Sequence, residues 1–279
     1  DMDYFAIFGS NPPAVPMPEF QRLKSESLFA ENAESPAYAT VESIPSLLTG
    51  KFVRKSKPSG KSELDLTFTD GKTSRFSSEP NVLRDVLAGN GKTAVIGWYH
   101  PYCRVIGKDI SACQSETFDT INDFEEQPVA SIMLRSFLNC IISLPFGYRI
   151  LEVVNRQIST PVLDEGYSKR HFRMIEGAGL AISDPDIDLA FIHLPFPHAP
   201  YIYNRETQTF GGGTEYRDNL ALSDRVLGEL RKSLEIAGLW DKTTVIVSSD
   251  HQWRQKQYQI DPASKDFTIS GGIEHGNVP

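Results

Sequence analysis

Two hydrophobic periods alternate along the chain, one near 3.6 residues and one of two, with proline- and glycine-rich breaks between them. "NPPAVPMPEF" reads as a proline-rich loop, and Pro18 suits the first turn of a helix at "PEFQRLKSESL". "LFAENAES" is expected as a short strand and "SIPSLLTG" as a helix closed by Gly50. "KSELDLTFTDGKTSRFSS" alternates on either side of Asp70-Gly71, the strongest short-range hairpin signal in the sequence. "NVLRDVLAGNG" predicts a helix stopped by Gly89 and Gly91, and "KTAVIGWY" a buried strand. Residues 115–185 are mostly helical by pattern. "DIDLAFIHLPFPHAP" is an apolar strand running into a proline-rich loop. "YRDNLALSDRVLGELRKSLEIAGL" spaces its leucines for a helix ending at Gly238, and "KTTVIVSSD" reads as a β-branched strand.

Helix and strand alternate, which predicts an α/β fold, a three-layer α/β/α sandwich with a mainly parallel central sheet. Ligands of such sheets sit beyond the C-terminal ends of the strands. Four clusters fall at those ends: Asp1, His100, His193 to His198, and Asp250-His251.

Composition then removes several classes. The 279 residues allow one large domain or two small ones, and 40% hydrophobic with 23% charged residues is ordinary for a globular chain. A net charge of −8 argues against binding a phosphate backbone, so no nucleic acid is expected as partner. No run of about 18 apolar residues occurs; "SFLNCIISLPFGYRI" is broken by Asn139 and Pro145 and reads as a buried element. Of the three cysteines, Cys103 and Cys113 are close enough for a short-loop disulfide that leaves Cys140 free; three reduced thiols are the alternative. No Cys-x-x-Cys pair offers a thiolate zinc site.

The candidate chemistry lies in short motifs. Asp250-His251 puts a carboxylate beside an imidazole where a strand opens into a loop, a pair able to ligate a zinc-like dication. His193 and His198 stand five apart in a loop stiffened by proline, with His198 the outward donor and His193, still within the strand pattern, a core histidine. His100 follows a strand directly. Thr40, heading "TVESIPSLLTG", is either a helix cap or a nucleophile. Each of these also reads, alone, as a loop or packing residue.

Taken in order, the motifs resemble the sulfatase branch of the alkaline phosphatase superfamily over most of the chain. The family's nucleophile segment ends in Leu-Leu-Thr-Gly, and counting back from "LLTG" puts Thr40 on the nucleophile position. Its Gly-Lys-Trp-His segment falls on Gly97-Trp98-Tyr99-His100, its Pro-His-x-Pro on Pro197 to Pro200, and its metal motif on Ser249-Asp250-His251. Two departures stand out. The proline and arginine that support formylglycine formation are missing after Thr40, and Trp98 replaces the anion-contacting lysine. A threonine nucleophile is instead similar to the phosphoethanolamine transferases and lipoteichoic acid synthases of the same superfamily.

The resemblance implies an alkaline phosphatase-like fold and a metal-dependent hydrolase or transferase of phosphate (di)esters, working through a covalent threonine intermediate. It implies a divalent metal held by Asp1, Thr40, Asp250 and His251, zinc first, with manganese, magnesium or calcium as alternatives. His100, His198 and Lys265 would contact the substrate anion, with His198 also protonating the leaving group. The implied substrate is a small molecule or an envelope lipid or glycan ester, met in a periplasmic or other extracytoplasmic compartment. Membrane proximity would come through a segment absent from this chain. Residues 1–279 are expected to form one catalytic domain, truncated at both ends relative to the family, with the helical segment 115–185 in its middle. A sulfuric ester hydrolase is the second reading; a non-catalytic module binding anionic glycans or lipid head groups is the third.

Overall fold

Seven residues, Thr93–Tyr99, form the strand on which the rest is built. Its first five positions are buried, because the strand is covered on both faces and flanked on both edges. The computed structural model describes residues 2, 7–8, 15–31, 33–60, 62–106, 110–117, 160–211 and 215–251.

In chain order the helices are α1 (Pro18–Glu26), α2 (Thr40–Thr49), α3 (Val82–Ala88), α4 (Tyr102–Val105), α5 (Thr160–Ser183) and α6 (Tyr216–Ile236). The strands are β1 (Val53–Pro58), β2 (Leu64–Phe68), β3 (Thr73–Arg75), β4 (Thr93–Tyr99), β5 (Ala112–Thr117), β6 (Leu189–His193), β7 (Tyr203–Asn204) and β8 (Thr209–Phe210). Strands β5, β4 and β6 pair in that order, all parallel. Alternate side chains of β4 feed two cores, as a period of two requires. Val95 joins Ile44 and Leu48 of α2 on one face, with Leu66, Phe68 and Phe76 beneath them. Ala94 and Ile96 meet Met174, Ala178 and Ala181 of α5 on the other. Helix, parallel sheet and helix are therefore stacked as the α/β alternation predicts.

The antiparallel sheet β1-β2-β3 closes the α2 side, and its β2–β3 turn is the expected Asp70-Gly71, with Gly71 at φ 84°. Helix α3 is capped by Asn81, whose side chain accepts from the Arg84 amide at 3.2 Å. The Cys103–Cys113 disulfide forms and ties α4 to β5. Cys140 lies outside the described residues.

Two sequence expectations differ from the structure. "LFAENAES" forms no strand over 28–31 and 33–35, and Leu28 is fully exposed. Residues 243–249 of "KTTVIVSSD" join no ladder, and Val245, Ile246 and Val247 face solvent. The β-branched pattern is there, but among the described residues no strand lies beside it to take its backbone hydrogen bonds. In the 115–185 region, 115–117 end strand β5 and 160–183 are helical as expected; 118–159 lie outside the described residues.

Candidate active site

Helix α2 begins at Thr40. Its N-cap is Ala39, in extended conformation, and no side chain caps the first turn. The reading of Thr40 as a cap is thereby corrected: its hydroxyl donates to Asp250 Oδ2 at 2.6 Å and stands 3.2 Å from His251 Nε2. These partners are 210 and 211 residues away in sequence. Ser43, one turn further along α2, donates to the Asp250 carbonyl and pins the same loop. The His251 amide donates to Asp250 Oδ1 at 2.9 Å, so the carboxylate is held at both oxygens.

The other wall of the site comes from the C-terminal ends of β4 and β6. After Trp98 the chain turns twice within three residues. Tyr99 takes φ 79°, and the His100 amide bonds back to the Trp98 carbonyl at 3.1 Å. Pro101 follows at φ −76° and ψ 63°, with the Tyr102 amide bonding to the His100 carbonyl at 2.8 Å. These are consecutive γ-turns, the first in the strained form with positive φ. They swing His100 beneath α2, where its Nε2 donates to the Thr40 carbonyl at 3.2 Å. His100 is buried, which lowers its pKa and keeps it neutral, although the bond to Thr40 works the other way.

Tyr102 lies across Gly97; a Cβ at that glycine would come within 2.1 Å of the ring. Its hydroxyl bonds to His193 Nδ1 at 2.7 Å, and His193 Nε2 is 4.0 Å from Asp250 Oδ2. Burial lowers the His193 pKa to about 4, against the attraction of Asp250. Burial and the Asp250 charge together raise Tyr102 well above its ordinary value. Asp250 behaves differently. Its burial favours protonation, while the two histidines and the Thr40 hydroxyl act the other way, and its pKa lies below the usual carboxylate range. It is a buried anion made stable by its neighbours.

The structure therefore brings Thr40, His100, Asp250 and His251 together. His198 is not among the partners of Thr40. It packs on Trp98, ring centroids 5.0 Å apart, in a loop fastened by Asn219, which donates to the His198 and Pro200 carbonyls at 2.8 and 3.0 Å. Asp1 and Lys265 lie outside the described residues. Sequence reasoning missed Ser43, Tyr102 and His193 as parts of this site. The available signals were a serine one helical turn after Thr40 and a glycine in β4 beside two aromatics.

Thr40 Oγ1, Asp250 Oδ2 and His251 Nε2 form a hydroxyl–carboxylate–imidazole set suited to a borderline dication. Tetrahedral ligands about 2.0–2.1 Å from zinc stand about 3.3 Å from one another. The Thr40–His251 and His251–Asp250 separations of 3.2 and 3.5 Å are near that span, whereas Thr40 and Asp250, hydrogen-bonded at 2.6 Å, stand closer than it. Among the described residues no three His, Cys, Asp or Glu side chains group as metal ligands.

The family profile named Sulfatase matches residues 1–268. No curated protein matches the sequence.

Proposed function

The chain belongs to the Sulfatase family, and from that premise we propose that it is a phosphate (di)ester hydrolase or transferase with Thr40 as its nucleophile. Enzymes of this family act on sulfate or phosphate esters and bind a divalent metal. The observation that carries the reading is the Thr40 hydroxyl: it caps nothing and points at Asp250 and His251. The missing formylglycine context around it favours phosphorus over sulfur.

Asp250, His251 and Thr40, with Asp1 as fourth ligand, would hold the metal, zinc first. When bound, the metal stabilises negative charge on the threonine oxygen and on the ester. Asp250 would orient the hydroxyl through its 2.6 Å bond. His100 fixes the Thr40 carbonyl and with it the first turn of α2. Thr40 gives up its hydroxyl proton to solvent as Oγ1 attacks phosphorus, the bond to the leaving oxygen breaks, and that oxygen takes a proton from His198, which the attacking water or alcohol of the second step restores. Water or an acceptor alcohol then attacks the threonyl phosphoester and returns the Thr40 hydroxyl. Lys265 would add a positive contact to the anion. The Cys103–Cys113 disulfide supports an extracytoplasmic setting, because such bonds persist in oxidising compartments. An envelope lipid or glycan ester fits that setting as substrate.

One assay tests the reading. Zinc-loaded protein is given a chromogenic aryl phosphodiester and the matching aryl sulfate, with wild type, Thr40→Ala and Thr40→Ser compared. Faster phosphodiester turnover, a loss of roughly a thousandfold or more in Thr40→Ala, and partial activity in Thr40→Ser are expected. Peptide mass spectrometry should find the phosphoryl adduct on the peptide containing Thr40. Full turnover by Thr40→Ala removes Thr40 as nucleophile, and faster sulfate turnover reverses the choice of ester.

A further inference from the structure

The positive charge of this acidic chain is unevenly placed. Residues 51–75 carry seven lysines and arginines against three carboxylates, although the whole chain stands at −8. Two of the three carboxylates are engaged locally. Glu63 accepts from Leu64 and Ser77, and Asp70 pairs with Lys72 at 3.0 Å. Of the cations, Lys51 pairs with Glu79.

The register of the β1-β2-β3 sheet sorts the remainder. Ser56 opposes Leu66 and Val53 opposes Phe68, which sets the inner face on the α2 core. Lys55 opposes Thr67, and Lys57 opposes Asp65, which in turn opposes Arg75; these form the outer face. Arg54, at the register shift, is also exposed. Arg54, Lys55 and Lys57 have no carboxylate within ion-pair distance among the described residues. Asp65 is the one acid on that face of the described ladder. At the start of β1, Phe52 is 63% exposed.

We propose that the outer face of β1-β2-β3 docks on an anionic phospholipid bilayer. Unpaired cations suit a layer of phosphate head groups, and a solvent-facing phenylalanine at the end of the row suits the acyl boundary beneath them. A soluble polyanion would use the cations and leave Phe52 in water. Long lysine and arginine stems can lie along the interface with their charges at phosphate level. The acidic remainder of the chain repels such a surface only weakly beyond a Debye length of about 8 Å at physiological salt. Each cation brought to an anionic bilayer strengthens partitioning by about fivefold. The docking does not depend on the chemistry at Thr40.

The test is cosedimentation of the full chain with vesicles of phosphatidylcholine alone or with about 30% phosphatidylglycerol, which gives the bilayer a negative surface potential. Binding to the anionic vesicles only, weakening as salt rises, is expected. The Arg54→Ser/Lys55→Ser/Lys57→Ser variant should lose about a hundredfold in partitioning, and Phe52→Ser a smaller factor. A Lys169→Ser/Lys232→Ser/Lys242→Ser variant removes equal charge elsewhere and should bind as wild type. Circular dichroism and unchanged aryl phosphodiester turnover in solution check that the outer-face variant is folded. The proposal is overturned if anionic and neutral vesicles bind alike, or if both triple variants weaken equally. It is also overturned if soluble polyphosphate binds the face while vesicles do not.

Discussion

Replacing Tyr102 by phenylalanine removes one oxygen and leaves the ring where it packs. The ring is 2% exposed and lies over Gly97, so the aromatic contacts of the variant are unchanged. What is lost is the 2.7 Å bond to His193 Nδ1. Burial keeps both partners neutral, the phenol by raising its pKa and the imidazole by lowering its pKa to about 4. A neutral bond contributes about 1 kcal/mol net, and an enclosed ring nitrogen left without a partner costs about 1–3 kcal/mol. The unfolding free energy should therefore fall by about 1–3 kcal/mol in urea titrations. A second effect concerns orientation. With the phenol donating to Nδ1, the Nε2–H of His193 faces Asp250 Oδ2 at 4.0 Å. Without that donor the imidazole can turn or change tautomer, and the carboxylate loses a fixed neighbour. If Asp250 is a metal ligand as proposed, Tyr102 stands one residue beyond its neighbour His193, so the effect should not exceed the roughly 10–100-fold seen for direct outer partners of ligands. Zinc affinity measured by competition with a chromophoric chelator should drop by about tenfold, with kcat falling more than KM changes. Lost stability with zinc affinity and kcat intact would refute the positioning role. Unchanged stability would refute the hydrogen bond itself.

Gly97→Ala should act on the same ring from the opposite side, because its Cβ would stand 2.1 Å from Tyr102, which has no exposed direction to move in. A cost of about 1–3 kcal/mol in unfolding free energy is expected, together with reduced turnover. The Cys103→Ser/Cys113→Ser variant opens a loop with a sequence separation of 10. Chain entropy assigns about 3 kcal/mol to that closure, so denaturant titration should find a loss of that order.

Local pattern was enough for the elements whose partners are near in sequence. The Asp70-Gly71 hairpin, the Asn81-capped helix α3 and the leucine-spaced α6 all appear where the pattern puts them. "KTTVIVSSD" shows the limit. A β-branched run states that a strand would be favourable there, whereas a ladder needs a second strand, which the run itself cannot specify. His193 is the satisfied core histidine the sequence suggested, but its place beside Asp250 was not legible, for a related reason. Its apolar neighbours in β6 fit a core histidine, and only the register opposite Gly97 shows that Tyr102 reaches its ring. Thr40 could not be resolved at all from its own segment. A cap and a nucleophile both call for a hydroxyl at a helix start, and the residues the hydroxyl bonds stand 210 and 211 positions away.

The start of α2 also shows a chemical consequence of where the Thr40 hydroxyl points. The amides of Glu42 and Ser43 bond back to the Ala39 carbonyl at 3.1 and 2.8 Å. Those of Thr40 and Val41 have no acceptor among the described residues. A threonine at the N-cap would turn its own oxygen toward first-turn donors of this kind. Here the hydroxyl has gone to Asp250, so the positive end of a ten-residue helix keeps two free N–H groups beside it. An anionic ester oxygen bound there would complete the first turn of the helix and, by the same contact, bring the phosphorus within reach of Thr40 Oγ1. Binding of the anion and approach of the nucleophile are then one geometric event.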